Sequence, residues 1–454
     1  MFNMAELKEN KMGVMPIKKL ILSMSLPMML SMLVQALYNI VDSVFVSRIS
    51  ENALTAVTLA FPLQTLIISF GSGVGVGINA LLSKALGEKN FKRADSAANS
   101  GILLTIVNYI IFLFVGLLVV EKFIYSQTDN PEIATYGIQY LTVICYLSIG
   151  ALSQMLFERL LQSTGLTFYA MITQISGAVT NLIFDPIMIF GLFGFPKLGV
   201  AGVAYATIFG QTVASILAVI FNIKRNHEIH LSLKEVFKPN FSTIGKIYLV
   251  GIPSILMMSI GSIMTYLMNK ILIVFSSTAT AVFGAYFKLQ SFFFMPIFGL
   301  NNGMIPVVAY NYGARQKERI KEAVGFSICL AVGIMIIGTL AFNLVPGTLL
   351  DLFNASADMK AIGIPALRII SVHFILAGAS IILGSTFQAF SRGSYSLIIS
   401  VSRQLVVLIP VAWLLSKTGE LNNVWWAFPI AEVVSLTLSI IFFFRLKKTT
   451  IDTL

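Results

Sequence analysis

Residues 101–120 read GILLTIVNYIIFLFVGLLVV, a stretch of twenty residues without a charged side chain. An α-helix needs about 20 mainly apolar residues to cross the hydrocarbon core of a bilayer. The whole 454-residue chain has this character, since 57% of its residues are hydrophobic and only 11% are charged. Soluble proteins carry about 25% charged residues. The composition therefore excludes a soluble globular protein and predicts an all-α protein that crosses the membrane many times.

Apolar windows of this kind occur twelve times and leave only short loops between them. Twelve spans use about 240–300 residues, so no large soluble domain is expected. The predicted spans are Lys18–Ser47, Leu54–Leu86, Ala94–Val120, Gly137–Leu161, Phe168–Leu192, Val200–Ile223, Lys246–Phe275, Ala279–Tyr310, Ala323–Phe342, Ile362–Phe390, Leu397–Leu415 and Val424–Phe444.

The basic residues concentrate on one side of the predicted bundle. With the N-terminus inside, most of the 31 Lys and Arg residues fall in inner loops, including Lys8–Lys19 and Lys84–Arg93. Cytoplasmic loops of membrane proteins carry such an excess. This predicts that both termini are cytoplasmic. It also explains the net charge of +11 without a nucleic-acid partner.

The two halves of the chain resemble each other at an offset of 226 residues. Six spans per half is an even number, so both halves enter the membrane from the same side and form two parallel lobes. The predicted organisation is a first lobe over residues 1–223, an inter-lobe loop over 224–245 and a second lobe over 246–454. Transport by alternating access is what such a duplication suggests. The identical pairs include Pro27 with Pro253, Ser50 with Ser276, Gly73 with Gly299, Gly87 with Gly313, and Gln162 with Gln388.

Asp42 is an acidic residue inside the first span, where an ionisable group is costly and indicates function. Gln35, Tyr38 and Asn39 precede it at spacings of three and four residues, so the four residues form one polar stripe. The stripe is expected to face the lobe interior, and Pro27 in the same span can act as a hinge. The alternative is a neutral Asp that only joins helices through hydrogen bonds.

Asp185 is the second such residue, four positions after Asn181 and directly before Pro186. Proline removes a backbone hydrogen bond and frees the carbonyl of Leu182, so several oxygens gather here, and Pro186 is a second predicted hinge. Thr207 in the sixth span adds a hydroxyl. Hard cations such as Na+ bind clusters of oxygens, and a buried carboxyl group can equally load and release H+. The prediction is a cation site for Na+ or H+, with an Asp that merely bonds at a proline kink as the alternative.

The second half carries a different set of ionisable residues. Asp42 corresponds to Met268 under the offset, and Glu432 is the only acid well inside a span. Lys270 is expected to reach the outer interface. Lys288 is deeper and is expected either to pair with a carboxylate or carbonyl or to line the pathway. The coupling cation site is therefore predicted in the first lobe only.

Two further motifs have structural interpretations beside functional ones. Glu158 and Arg159 near the inner end of the fourth span are expected to form a gate or an ion pair solvated at the membrane surface. The run Gly71–Gly77 lacks the ending of a phosphate loop, and its small residues favour close helix packing. Because the sequence has no Walker motif, paired His or nucleophile elbow, we expect no enzymatic activity, no cofactor, and transport driven by an ion gradient.

Pro27, Asp42, the segment Asn181–Pro186 and Thr207 together resemble the bacterial multidrug and toxic compound extrusion (MATE) family, in its DinF-like branch. The resemblance implies a V-shaped pair of six-helix lobes in the bacterial plasma membrane that exports cationic, often aromatic drugs in exchange for Na+ or H+. It also implies that Asp42, Asn181, Asp185 and Thr207 form the cation site. One branch of the family also uses acidic residues in helices 7 and 10. This chain has no acid in its spans 7 and 10, which argues for the DinF-like branch. Other family-like stretches are Ser25–Pro27, Leu86–Gly87, Gly199–Gly202, Ile305–Pro306 and Asn311–Gly313.

The leading hypothesis is a monomeric, cation-coupled exporter of drug-like small molecules. The alternative is a lipid-linked oligosaccharide flippase of the same superfamily, whose large anionic substrate needs several cations in the cavity. Lys270, Lys288 and Arg403 agree with this alternative, whereas Asp42 and Asp185 argue against it. A channel or receptor would need neither duplicated lobes nor a buried carboxylate pair.

Overall fold

The computed structural model describes residues 9–353 and 355–454 and consists of twelve apolar helical spans, ten continuous and two broken. Lys8 and the rest of the first eight residues of the predicted first lobe lie outside these ranges. The spans are α1 (Ile17–Ser47), α2 (Glu51–Gly87), α3 (Phe91–Leu118), α4 (Pro131–Tyr146 with Ile149–Ser163), α5 (Thr167–Phe190), α6 (Val200–Arg225), α7 (Phe241–Leu272), α8 (Ser277–Gly313), α9 (Lys317–Leu344), α10 (Ala357–Ser371 with Phe374–Ala389), α11 (Gly393–Ser416) and α12 (Leu421–Ile451).

The two broken spans are α4 and α10, which bend by 46° and 48°. The sequence predicts each of them as one apolar window, Gly137–Leu161 and Ile362–Phe390. Hydropathy does not report the bends, because neither break contains a proline and both breaks lie within long, mainly apolar stretches. The first helix of α4 ends at Tyr146 and the second helix of α10 starts after His373, so the breaks fall at equivalent places in the two halves.

Local backbone features also recur at the offset of 226 residues. Ser50 caps α2 by accepting a hydrogen bond from the backbone N–H of Ala53 at 3.0 Å, and Ser276 caps α8 in the same way at 3.0 Å. Directly after α2 and α8, Lys89 and Arg315 adopt left-handed backbone conformations with φ of 56° and 57°. The duplication read from residue identities is thus present in the local geometry.

Helix packing is repeated as well. In the first half, α1 packs on α5, α5 on α6, α6 on α4, and α4 on α2 and α3. In the second half, α7 packs on α11, α11 on α12, α12 on α10, and α10 on α8 and α9. The result is two parallel six-helix lobes, as the sequence predicts.

The lobes touch through α1, α2, α7 and α8, where glycines allow the backbones to approach closely. A β-carbon added to Gly299 of α8 would lie 2.5 Å from the Cα of Met29 in α1. One added to Gly73 of α2 would lie 2.8 Å from the carbonyl oxygen of Gly251 in α7. The expectation that the glycine run Gly71–Gly77 serves close packing is confirmed at Gly73.

These contacts lie toward the face of the bundle where α1 begins and α12 ends, which we call the terminal face. At this face Lys321 of α9 pairs with Asp452 after α12 at 3.5 Å. Toward the opposite face the same inter-lobe surfaces are uncovered, and Asn39 of α1 and Lys288 of α8 are exposed. The two lobes therefore form a V that is closed at the terminal face and open at the opposite face.

Candidate cation and substrate site

Asp42 of α1 and Asp185 of α5 meet inside the first lobe. Asp185 is fully buried, whereas Asp42 is half-buried with its Oδ1 inaccessible to solvent. The two carboxyl groups are neighbours in the lobe interior, and the buried Oδ1 of Asp42 has no hydrogen-bond partner among the described residues. Two ionised carboxylates side by side repel each other, and neither has a donor with which to bond the other. A proton or another cation held between them would relieve this repulsion.

Asn181 and Thr207 complete this cluster. The Asn181 Nδ2 lies 3.5 Å from Asp185 Oδ1 and 3.4 Å from Thr207 Oγ1. With the amide turned over, its nitrogen donates to Asp185 Oδ2 at 3.2 Å and its oxygen accepts from the Thr207 backbone N–H at 3.2 Å. The second orientation gives both amide atoms a suitable partner. The four predicted residues are thus brought together, three of them buried.

A close approach of α5 and α6 creates this arrangement. A β-carbon on Gly210 of α6 would lie 2.6 Å from the carbonyl oxygen of Gly177 in α5 and 3.1 Å from the Cβ of Asn181. Asn181 and Asp185 are four residues apart and therefore share the face of α5 that meets α6. Pro186 lies inside α5, so its missing N–H leaves the Leu182 carbonyl without its helical donor.

The polar stripe of α1 divides between two environments. Tyr38 and Asp42 are half-buried, while Gln35 and Asn39 are exposed. The expectation that the whole stripe faces the lobe interior is therefore wrong for Gln35 and Asn39. Positions three or four apart differ by about 40–60° around a helix, so a stripe at the edge of a lobe presents some members to the cleft. Pro27 lies inside α1, and its role as a hinge stays a prediction.

Tyr140 and Gln64 belong to the same region and were not predicted. Tyr140 of α4 is buried, lies near Asp42, Asp185 and Tyr38, and donates its hydroxyl hydrogen to Gln64 Oε1 of α2 at 3.1 Å. Both helices carry several other polar residues, and the sequence does not tell which of them turn toward α1. Only the folding of α4 and α2 around α1 reveals the contact.

Glu158 of α4 is buried, so the prediction of a solvated ion pair with Arg159 is wrong, while a gate at this place stays a prediction. Its carboxylate accepts hydrogen bonds from Gln154 and Thr173 at 3.0 Å each and from Gln174 at 2.8 Å. Neighbouring residues on a helix point about 100° apart, so Glu158 turns into the lobe while Arg159 turns away. Neutral donors, rather than an ion pair, satisfy this carboxylate.

Arg159 instead connects the two lobes. Its guanidinium donates to Asn302 of α8 at 2.8 Å and to Gln162 of its own helix at 2.9 Å. Gly75 of α2 leaves room for this side chain, since a β-carbon there would lie 2.7 Å from the Arg159 Cγ. Arg159 thus strengthens the closed contact near the terminal face.

The three basic residues predicted as important in the second lobe have different surroundings. Arg403 of α11 pairs with the buried Glu432 of α12 at 3.4 Å, and Arg403 lies in a π-helical turn. Lys270 lies at the end of α7 with its Nζ 5.6 Å from the centre of the Tyr266 ring. Lys288 is exposed, and neither a hydrogen bond nor an ion pair joins it to any described residue. The expectation that Lys288 pairs within the protein is therefore wrong, and its other predicted position, along the pathway, remains.

A duplicated twelve-span bundle with a cleft between its lobes and buried carboxyl groups in one lobe defines a membrane transporter. The MatE family model matches the chain twice, over residues 27–187 and 253–414. The chain therefore belongs to the MATE family of transporters, as its motifs suggest. Because both matches begin at the prolines of the first span of each lobe, the predicted duplication coincides with them.

The chain is also similar along its whole length to individual MATE proteins. It is 25% identical over 437 residues to the multidrug export protein MepA of Staphylococcus haemolyticus (strain JCSC1435), covering 96% of this chain and 95% of that protein. A crystal structure of MATE in complex with MaL6 superposes with a TM-score of 0.91 and 26% identity, covering 99% of this chain and 100% of that one.

An outward-facing multidrug resistance MATE transporter superposes with a TM-score of 0.92 and 26% identity, covering 99% of both chains. The predicted fold is thereby confirmed. Family membership also confirms that the protein is a transporter rather than an enzyme, while the DinF-like branch stays a prediction.

Proposed function

We propose that this protein exports drug-like organic molecules across the bacterial plasma membrane in exchange for protons. The similarity to MepA, a multidrug export protein, over 96% of this chain supports the substrate class. The observation that carries the exchange is the contact between the carboxyl groups of Asp42 and Asp185. The two carboxyl groups stay together when they share one proton, and they repel each other when both are ionised.

The proton is preferred over Na+ because of the geometry of the cluster. A hydrogen bond between two carboxyl groups uses a proton directly. Na+ would need several oxygens aimed at one point, whereas the Asn181 amide in its better-bonded orientation directs its nitrogen, not its oxygen, at Asp185. The residues that hold the cation in this proposal are Asp42, Asp185, Asn181 and Thr207.

Export follows if the two ligands favour different arrangements of the lobes. Protonation joins α1 to α5, and a bound organic cation near Asp42 favours the ionised pair. Each ligand shifts the equilibrium only by its difference in affinity for the two arrangements. With both termini in the cytoplasm, as the basic loops suggest, the V opens to the outside, where drug leaves and protons enter.

We further propose that a single chain forms the complete pathway and acts as a monomer within the bilayer. The cleft lies between the two lobes of one chain, and the coupling residues all come from α1, α5 and α6. The flippase alternative is disfavoured because two carboxyl groups line the first lobe, where they would repel a large anionic substrate.

The proposal is tested with purified protein in liposomes and an organic cation, ethidium, as the transported probe. The variant is Asp185→Asn, and the matched control is Asp129→Asn, which makes the same chemical change in the exposed α3–α4 loop. An imposed pH gradient should drive ethidium transport by wild type and control but not by Asp185→Asn. Transport driven only by a Na+ gradient would overturn the choice of ion, and unimpaired transport by Asp185→Asn would overturn the coupling role.

A further inference from the structure

Lys288 is an exposed cation at the depth of the membrane on the second lobe. It lies in the half of α8 toward the open end of the V, where the lobes have separated. Gly284, one turn earlier, has open space around the position of a β-carbon. No described residue supplies a hydrogen bond or an opposite charge to the ammonium group. Its N–H donors are therefore available to a ligand that enters the cleft.

The helical phase of α8 places Lys288 on the inter-lobe side. Gly299 follows Lys288 by eleven residues, which is about three helical turns, so the two residues share a face. Gly299 lies against Met29 of the first lobe. Near the terminal face this side of α8 is therefore covered by α1. At Lys288 the lobes have parted, and the same side lines the cleft.

The duplication gives an independent indication of the same orientation. Lys288 corresponds to Pro62 of α2 under the offset of 226 residues. Pro62 lines a cavity of about 220 Å³ together with Ser259 and Ser262 of α7, so it faces the other lobe. By the same relation Lys288 faces the part of α1 around residues 33–36, which includes the exposed Gln35.

The two walls of the cleft therefore carry opposite charges. The first-lobe wall presents the exposed amide groups of Gln35 and Asn39, and the half-buried Asp42 lies behind them on the same helix. The second-lobe wall offers Lys288, while Glu432, the one buried acid among the described residues of that lobe, is already paired with Arg403. A molecule that lies across the cleft meets an acidic group at one end and a basic group at the other.

We propose that Lys288 is the residue that binds an anionic group of the substrate and thereby distinguishes organic cations that also carry a carboxylate group from those that do not. This inference rests on the proposed export function and specifies its substrate class. The cationic end of the molecule lies toward Asp42, and the carboxylate forms a charge-assisted hydrogen bond with the Lys288 ammonium. A purely cationic molecule uses the first-lobe wall alone.

Rhodamine 110 and rhodamine 123 test this inference, because they share one fluorescent ring system and differ only in that rhodamine 123 carries the methyl ester of the carboxyl group. Binding of each dye to purified full-length protein is measured by fluorescence anisotropy. Lys288→Met should weaken rhodamine 110 binding about tenfold or more and change rhodamine 123 binding less than about twofold. Lys288→Arg should retain rhodamine 110 binding.

The matched control is Lys197→Met, which removes the same charge from the exposed loop after α5 and should change neither affinity. Unchanged binding of rhodamine 123 shows that the Lys288→Met protein is folded. Equal effects of Lys288→Met on both dyes, or no effect on either, would overturn the inference. Transport of the two dyes in liposomes is measured separately, so a wild type that binds both dyes but transports neither would contradict the export function and leave the Lys288 result intact.

Discussion

Replacing Gly299 by alanine should open the closed end of the V. Its added β-carbon would lie 2.5 Å from Met29 Cα, whereas ordinary contacts of this kind begin at 3.4 Å. The backbones of α1 and α8 must therefore separate by about 0.9 Å. Overpacking of this kind costs about 1–3 kcal/mol, and it is imposed only while the lobes touch. The helix-forming advantage of alanine over glycine acts in both arrangements and cancels.

A cost of about 1–3 kcal/mol changes the ratio of closed to open arrangements about 5- to 140-fold. Spin-label distances report that ratio. One pair of labels at Lys92 and Glu318 joins the lobes at the terminal face, and a second pair at Glu51 and Ser277 joins them at the opposite face. All four positions are exposed, and the two native cysteines are removed. Gly299→Ala should lengthen the first distance and shorten the second.

Gly284→Ala is the matched control, because it makes the same substitution on the same helix where nothing lies within 4 Å of the new atom. Its distance distributions should equal those of the wild type. If Gly299→Ala gave the same distributions as Gly284→Ala, the closed contact would not depend on glycine, and the account of the V would be refuted.

Three further predictions concern charged groups away from the coupling pair. Arg403→Met leaves Glu432 buried without its partner and should lower unfolding stability by about 3 kcal/mol; adding Glu432→Gln should restore part of the loss in thermal melts. Glu158→Gln points a new amide N–H at side chains that are themselves donors to this position, and it should lower unfolding stability by about 1–3 kcal/mol in the same assay. An unchanged melting temperature would contradict the hydrogen bonding described for Glu158. Burial raises the pKa of Glu228 despite the hydrogen bond from Asn10. The folded protein therefore holds this proton longer than the unfolded chain, and stability should fall as pH rises above 4.5 toward the raised pKa. Glu228→Gln should flatten this part of the stability profile, and an unaltered profile would show that Glu228 does not contribute.

The sequence predicts the fold well because its signals are local. A span is identified by twenty apolar residues in a row, and a repeat is identified by identical residues at a constant offset. The cation cluster was predictable for the same reason, since Asn181 and Asp185 are four residues apart on one helix. The meeting of Asp42 with Asp185 depended on the family resemblance, because no local pattern relates α1 to α5.

The parts that could not be predicted depend on tertiary packing. Whether Glu158 is solvated depends on the three donors that surround it, two of which come from α5. Its spacing from Arg159 suggested a charge pair, but adjacent residues on a helix point in different directions. In the same way, whether Lys288 has a partner depends on which side of α8 the other lobe covers.

The central claim is that one proton is shared by Asp42 and Asp185 and is displaced by substrate. The most direct test is proton release, measured with a pH indicator in weakly buffered detergent solution when tetraphenylphosphonium binds the purified protein. The wild type should release protons in proportion to the cation bound, whereas Asp42→Asn and Asp185→Asn should bind it without proton release. Release by both variants equal to that of the wild type would contradict the claim.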